Sequence, residues 1–215
     1  MKIGVIGSGI VGQTIAGKLV ELGHAVKVGT SDTSKLEEWL SKAGEEASVG
    51  SFAEAAAFGE IVFNCTRGAG SLEALQLVGE ASLNGKILVD ISNPLDFSKG
   101  MPPTLTVCNT DSLGEQIQRT FPEAKVVKTL NTVNAALMVN PALVPGDHTL
   151  FVSGNDPEAK ATVIAILKEG FGWKAVLDLG DISTARATEM LMPLWIRLWG
   201  TLQTPMFNYK LVIGE

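Results

Sequence analysis

Three glycines near the start of the chain have the spacing that holds a phosphate. Gly7-Ser8-Gly9-Ile10-Val11-Gly12 fits the pattern G-x-G-x-x-G. The pattern alone is weak, and its context strengthens it. It follows the apolar run Ile3–Ile6, opens a helical periodicity over Ile10–Leu22, and leads to a second apolar run at Ala25–Val28. That strand–turn–helix–strand setting is the one a dinucleotide site requires. Gly7 then permits the tight turn, Gly9 leaves room for backbone N–H groups to approach a pyrophosphate, and Gly12 lets the helix pack close to the strand. The helix N-terminus adds free N–H donors and partial positive charge. A turn with no ligand would not need three such glycines, because each adds chain entropy.

A fold that prefers NAD usually carries an Asp or Glu about 20 residues further on, placed against the ribose 2′-OH. Gly29, Thr30 and Ser31 stand there instead, with Asp32 and Lys35 following. Two hydroxyls and an amine can receive a 2′-phosphate that a carboxylate would repel. The expected nucleotide is therefore NADP(H), although this segment lacks the arginine that most often clamps phosphate. Asp32 is read as a helix-entry residue. Ser34 and Glu37 have capping-box spacing for a helix over Ser34–Leu40.

In an open α/β sheet, ligands sit beyond the carboxyl ends of the strands. Three segments are expected there: Asn64-Cys65-Thr66-Arg67, Asp90-Ile91-Ser92-Asn93-Pro94-Leu95, and Leu130-Asn131-Thr132-Val133-Asn134. They are polar, yet they offer no histidine and no lysine placed for catalysis. His24 and His148 read as surface turn residues, and Asp178 and Asp181 as caps of the last helix. An alcohol dehydrogenase needs an acid or base in reach, whereas hydride transfer between two redox rings needs mainly stacking, orientation and exclusion of water. The sequence favours the second. No catalytic acid or base is assigned, with Asp90 left as the one open position. Arg67 is weighed equally as an anion-binding residue and as half of a surface ion pair.

The elements that must position these residues alternate in type. Further strands are expected near Ala47–Val49, Ile61–Asn64, Ile87–Ile91 and Lys125–Lys128, with helices between most of them. Late strands lie in "HTLFVSG" and "KAVLDLG", flanking the helix "DPEAKATVIAILKEG". A long helix is expected from about Ile182 to Leu202. On it Leu191, Leu194, Trp195, Leu198, Trp199 and Leu202 form an apolar stripe, read first as core or dimer interface. Continuous apolar strands between helices specify an α/β fold, a doubly wound and mostly parallel sheet covered on both faces. The parallel part is expected to end near Leu130. This divides the chain into a nucleotide-binding domain, 1–130, and a small C-terminal lobe, 131–215. The loop "ISNPLDFSKGMPPTLTVCNTD" is long enough to be functional.

With 215 residues, 46% of them hydrophobic and 19% charged, the chain can build a sizeable core. Its net charge of −6 and lack of a basic run argue against nucleic acid as a partner. Cys65 and Cys108 have neither metal-ligand nor disulfide-framework spacing and read as buried free thiols, so no metal site is expected. The apolar run "MLMPLWIRLWGTL" is interrupted by Pro193 and Arg197 and is too short to span a bilayer. No membrane partner and a cytoplasmic location follow as expectations.

Four segments together resemble the family of coenzyme F420-dependent NADP oxidoreductases: "IGVIGSGIVGQTIAGKLVELGHAVKVGTSD", "VDISNPL", "KTLNTVNAALM" and "ARATEMLMPLWIRLWG". "NTVNA" is also similar to a segment of the NADPH-binding domain of STEAP-type metalloreductases. The resemblance implies a Rossmann-type fold with a small C-terminal lobe, and a homodimer or higher homo-oligomer. It implies hydride transfer between NADP(H) and a small-molecule acceptor, coenzyme F420 or a flavin. It places Ser8, Gly9, Ile10 and Val11 on the pyrophosphate and Thr30 and Ser31 on the 2′-phosphate. Thr66, Asn93, Pro94 and Asn131 would flank the nicotinamide, next to Cys65 and Arg67, and the last helix would wall the second ring. The alternatives are an NADPH-dependent flavin or ferric reductase and an NADP-binding redox sensor without turnover. An imine or ketone reductase ranks last, because it needs a longer helical C-terminal domain.

Overall fold

The computed structural model describes residues 1–214. The first half alternates without interruption: β1 (Lys2–Ile6), α1 (Ile10–Glu21), β2 (Ala25–Gly29), α2 (Glu37–Ala43), β3 (Ala47–Gly50), α3 (Phe52–Phe58), β4 (Ile61–Asn64), α4 (Ser71–Val78) and β5 (Ile87–Asp90). A short antiparallel hairpin follows, β6 (Leu95–Asp96) with β7 (Thr104–Leu105). It is built from the long loop singled out in the sequence. The chain continues through α5 (Leu113–Thr120), β8 (Lys125–Thr129), α6 (Ala135–Val139), β9 (Thr149–Gly154), α7 (Pro157–Ala165), β10 (Ala175–Asp178), α8 (Ala185–Met190) and α9 (Met192–Leu202).

Eight strands form one sheet in the order β10-β9-β8-β5-β4-β1-β2-β3. The pairs from β3 across to β8 are all parallel, and β9 turns antiparallel to β8. The parallel run thus closes at Thr129, and the two late strands extend the same sheet. From β1 the chain passes to β2 and β3 on one side and then returns to β4 on the other. The switch point lies between β1 and β4, where ligands bind in such sheets.

Successive side chains of a strand serve opposite faces. Val5, Phe63, Val89 and Val127 feed the core under α1, α6 and α7. Their neighbours Ile6, Val62, Leu88 and Val126 feed the core under α3, α4 and α5. Each fully buried side chain of this kind contributes roughly 1.5–3 kcal/mol, which explains why the central strands read as unbroken apolar runs.

Several local expectations need correction. The first turn after β2 is capped by Asp32, whose Oδ1 accepts the Ser34 N–H at 3.1 Å; Ser34 is not the cap. Thr33–Leu36 form a 3₁₀ turn, and the α-helix begins only at Glu37. The expected helix 182–202 is broken at Leu191, because Pro193 starts a new helix in its first turn. His148 is buried, with Nε2 3.0 Å from the Pro141 carbonyl and its ring edge-on to Trp173. Asp181 does cap the turn that opens α8, whereas Asp178 pairs with Lys160.

Candidate active site

The glycine turn joins β1 to α1. Gly7 has φ +118° and donates its N–H to the Gly29 carbonyl at 2.9 Å, which ties the turn to the end of β2. A Cβ on Gly12 would lie 2.0 Å from the Gly7 carbonyl oxygen, so this helix–strand approach admits only glycine. Gly9 differs: a Cβ there would meet nothing within 4 Å. Its side-chain direction points into open space above the first turn of α1. That turn has no side-chain cap and no acidic residue, so its N–H groups remain available to an anion. Ile10 is 79% exposed beside it. A cradle that stays open at Gly9 and closes at Gly12 fits a dinucleotide pyrophosphate.

The neighbouring segment is built differently from the expected gap at Gly29. A Cβ on Gly29 would lie 3.0 Å from Phe52 Cα, so α3 occupies the space a carboxylate would need. The polar groups lie just beyond. Thr30 is buried, with its hydroxyl 2.9 Å from Ser8 Oγ, and this bonds the strand end to the glycine turn. Ser31 and Lys35 are exposed, and Lys35 Nζ lies 3.7 Å from Asp32 Oδ2.

A cleft of about 850 Å³ opens from the switch point toward the last helix. Ile10, Val11, Cys65, Thr66, Arg67, Asn93 and Asn131 line it. Leu95, Phe97, Met192 and Trp195 add an apolar wall. Asn93 and Asn131 bond reciprocally: Asn93 Nδ2 donates to the Asn131 carbonyl at 2.8 Å, and Asn131 Nδ2 donates to Asn93 Oδ1 at 2.9 Å. Leu130, immediately before, is buried with φ +61°. A non-glycine residue in that region carries strain of order 1–3 kcal/mol, and such strain collects at functional sites. Pro94 is buried behind Asn93, and Gly68 packs so closely that a Cβ would overlap the Asn93 carbonyl. The loops after β4 and β5 therefore interlock.

Arg67 stands exposed at the cleft, and among the described residues no carboxylate lies within 4 Å of it. The ion-pair reading of Arg67 has no partner here. Burial, aided by the charge of Asp90, pushes the Cys65 thiol up and keeps it protonated. Against the expectation of two buried thiols, Cys65 is only half-buried at the cleft and Cys108 is exposed. Among the described residues no group of three His, Cys, Asp or Glu side chains is placed to hold a metal ion, and no helix is long and apolar enough to cross a membrane.

Sequence reasoning missed Lys128 and Glu189. The strand register sets Asn64, Asp90 and Lys128 side by side at the carboxyl edge of the sheet. Asn64 Nδ2 donates to Asp90 Oδ1 at 2.8 Å, and Lys128 Nζ lies 2.7 Å from Asp90 Oδ2 and 2.9 Å from Glu189 Oε1. Thr66 joins through its hydroxyl, which donates to Asn64 Oδ1 at 2.7 Å. Desolvation pulls the ammonium of Lys128 down, but the charges of Asp90 and Glu189 outweigh it, so its pKa lies above the usual lysine value. Asp90 is consequently a buried ion-pair partner rather than an available proton carrier. The one signal in the sequence was a lysine inside the apolar run "VVKTL", since such a lysine is buried only when paired.

A doubly wound sheet with a glycine turn at its switch point and an adjoining cleft defines a dinucleotide-dependent oxidoreductase of Rossmann type. The comparisons with known proteins are more specific. The family profile described as NADP oxidoreductase, coenzyme F420-dependent, matches residues 2–94. The F420-dependent NADP reductase of Methanocaldococcus jannaschii is 31% identical over 209 residues, covering 92% of each chain. A solved structure from Arthrobacter sp. FB24, provisionally named an F420-dependent NADP reductase, is 56% identical with a TM-score of 0.95, covering 99% of this chain and 100% of that one. The rat metalloreductase STEAP3 is 30% identical over 200 residues, 90% of this chain, and the chain spans only 38% of its length. The chain belongs to the family of coenzyme F420-dependent NADP oxidoreductases, and it is an NADP-dependent oxidoreductase.

Proposed function

We propose that the chain transfers a hydride between NADP(H) and coenzyme F420 or a flavin-type acceptor seated in the 850 Å³ cleft. The observation that carries this reading is the cleft's lining: apolar walls, a fixed pair of carboxamides, and no histidine, lysine, tyrosine or glutamate among the described lining residues, where the carboxylate Asp96 is engaged by the N–H and hydroxyl of Ser98. Such a site orients two rings and excludes water, and it supplies little for a proton-coupled carbonyl reduction.

The nucleotide, when bound, donates or accepts the hydride at its nicotinamide. The residues of this chain do the rest. Ser8, Gly9, Ile10 and Val11 would meet the pyrophosphate through backbone N–H groups at the open cradle, with Gly7 and Gly12 shaping it. Thr30 holds Ser8 in place, while Ser31 and Lys35 would face the 2′-phosphate. Cys65, Thr66, Asn93 and Asn131 would flank the nicotinamide, while Pro94, expected there, is buried behind Asn93 and would support it. Arg67 would bind an anionic group of either ligand. Met192 and Trp195 would wall the acceptor. Trp195 stacks on Phe207 at 5.4 Å, which stiffens that wall. In this reading the division near residue 130 separates nucleotide-side from acceptor-side elements. The exposed Leu194, Trp199 and Leu202 support a homo-oligomer, since the stripe on α9 is only partly used within one chain.

The test is oxidation of NADPH and NADH with coenzyme F420, FAD, FMN or a ferric chelate offered singly. Fast NADPH oxidation with F420 is expected. Turnover with flavin or iron alone would make the protein a flavin or metal reductase, the reading that the likeness to STEAP3 favours. Tight NADPH binding without turnover on any acceptor would leave a redox sensor and overturn the proposal.

A further inference from the structure

The ammonium of Lys128 has three protons and three acceptors. Besides Asp90 Oδ2 and Glu189 Oε1, it reaches the Ser92 carbonyl at 2.5 Å. All of these groups are buried. The three acceptors come from two pieces of the chain, the end of β5 with its following loop and α8. Asp90 ends β5. Ser92 opens the loop that carries Asn93 and Pro94, and it is itself held by Asp90, whose Oδ1 accepts both its N–H and its hydroxyl. Glu189 lies on α8, two residues before the break after which Met192 and Trp195 line the cleft. Glu189 also accepts the N–H groups of Leu113 and Gly114, at 2.8 and 3.0 Å, and so caps α5.

We propose that Lys128 is a positioning residue: it fixes the Ser92–Pro94 loop against α8 and thereby sets how the loop after β5 and the last helix meet at the cleft. This deepens the reading of that cleft as the place where hydride is transferred. Lys128 does not line the cleft and takes no part in the transfer itself. Reacting atoms must approach to about 3–3.5 Å, and a misplacement near 1 Å costs about 10²-fold in rate. The loop after β5 and the last helix both line the cleft, where Leu95 packs against Met192, Trp195 and Ile196. A single buried ammonium bonded to both the loop and α8 holds the two together, and its removal leaves two carboxylates without a counter-charge.

The test uses Glu189→Gln, which keeps the side-chain shape and one acceptor oxygen, and Lys128→Met. Hydrogen exchange read by mass spectrometry on the full chain should rise about tenfold in peptides spanning both 91–97 and 192–199 in either variant that folds. The Kd for NADPH, read by fluorescence, should stay within about twofold, because the glycine turn is untouched. Single-turnover hydride transfer should fall at least tenfold, giving a loss in kcat without a matching loss in nucleotide affinity. If Lys128→Met fails to fold, Glu189→Gln decides alone. Exchange that changes only over 113–116, where Glu189 caps α5, would overturn the proposal. So would a loss of NADPH affinity in step with the rate. Exchange and NADPH binding need no acceptor, so a protein that turned over none of those offered would sink the functional reading while leaving this one decided.

Discussion

Asn93 and Asn131 come from loops after two adjacent strands and hold each other by two hydrogen bonds, at 2.8 and 2.9 Å. Each carboxamide fixes the other, so neither loop moves alone. The strained Leu130 fits this arrangement, because its left-handed backbone delivers Asn131 to Asn93. Asn131→Ala removes the donor to Asn93 Oδ1 and leaves the loop after β8 tied to Asn93 only through the residue-131 carbonyl. Hydride transfer is expected to fall about 10²-fold with the NADPH Kd changed less than threefold. Pre-steady-state kinetics with separately measured binding check this. Equal losses in both would assign the pair to binding.

The glycine turn separates fold from ligand at two positions. Gly9→Val adds a side chain into open space, and the residue's φ of −75° is one any side chain adopts. Its melting temperature should stay near that of the parent, while NADPH affinity drops by at least about tenfold as the side chain fills the cradle. Gly12→Val should instead lose folded protein, because its Cβ meets the Gly7 carbonyl. Thermal denaturation beside a binding titration distinguishes them. Normal NADPH binding by the Gly9 variant would place the pyrophosphate elsewhere.

The legible parts of the molecule were local ones. Apolar runs such as Ile61–Asn64 announced buried parallel strands, and three spaced glycines announced the turn at the switch point. The missed parts depend on register or on distant partners. Lys128 and Glu189 lie far apart in the chain and meet only because the sheet aligns Asp90 with Lys128 and α8 packs over that edge. His148 read as a surface turn residue because its partners, the Pro141 carbonyl and the Asn208 side chain, are contributed by other segments. The stripe on the last helix was drawn on one continuous helix. The break at Leu191 buries Met192, Trp195 and Ile196 and leaves Leu194 and Leu202 exposed. At Gly29 the sequence showed a missing carboxylate; only the packing of α3 shows how tightly that position is enclosed.

Selectivity for the 2′-phosphate should respond in opposite directions to two neighbouring charges. Lys35 is exposed and pairs only loosely with Asp32. Lys35→Ala should weaken NADPH about fivefold and leave NADH unchanged, the scale of roughly 1 kcal/mol for an exposed ion pair. Asp32→Asn keeps an oxygen to cap the Ser34 N–H but removes a negative charge beside the phosphate. It should tighten NADPH by about two- to threefold. Both effects should shrink as salt is raised. Titrations of the two nucleotides at low and high ionic strength give the answer, and an equal effect on NADH would remove these residues from the 2′-phosphate site.

Acid stability should depend on the helix α5 region. Arg119 bonds Asp111 through both terminal nitrogens, at 2.9 and 2.8 Å, and holds its carboxyl at about 2, below the ordinary 3.8. Arg186 likewise lowers Glu115, bonding it at 2.8 and 2.5 Å. A carboxylate depressed in the folded state contributes stability that is complete above its unfolded pKa, because the unfolded chain binds the proton first. For Asp111 this contribution is full above about pH 4 and is lost as the pH falls toward 2. Arg119→Gln should therefore flatten the fall in stability between about pH 4 and pH 2, while lowering the melting temperature at pH 7 by only about 2 °C, since the pair is largely exposed. Urea unfolding across that range measures it. An unchanged acid slope in the variant would mean that the ion pair does not persist in solution.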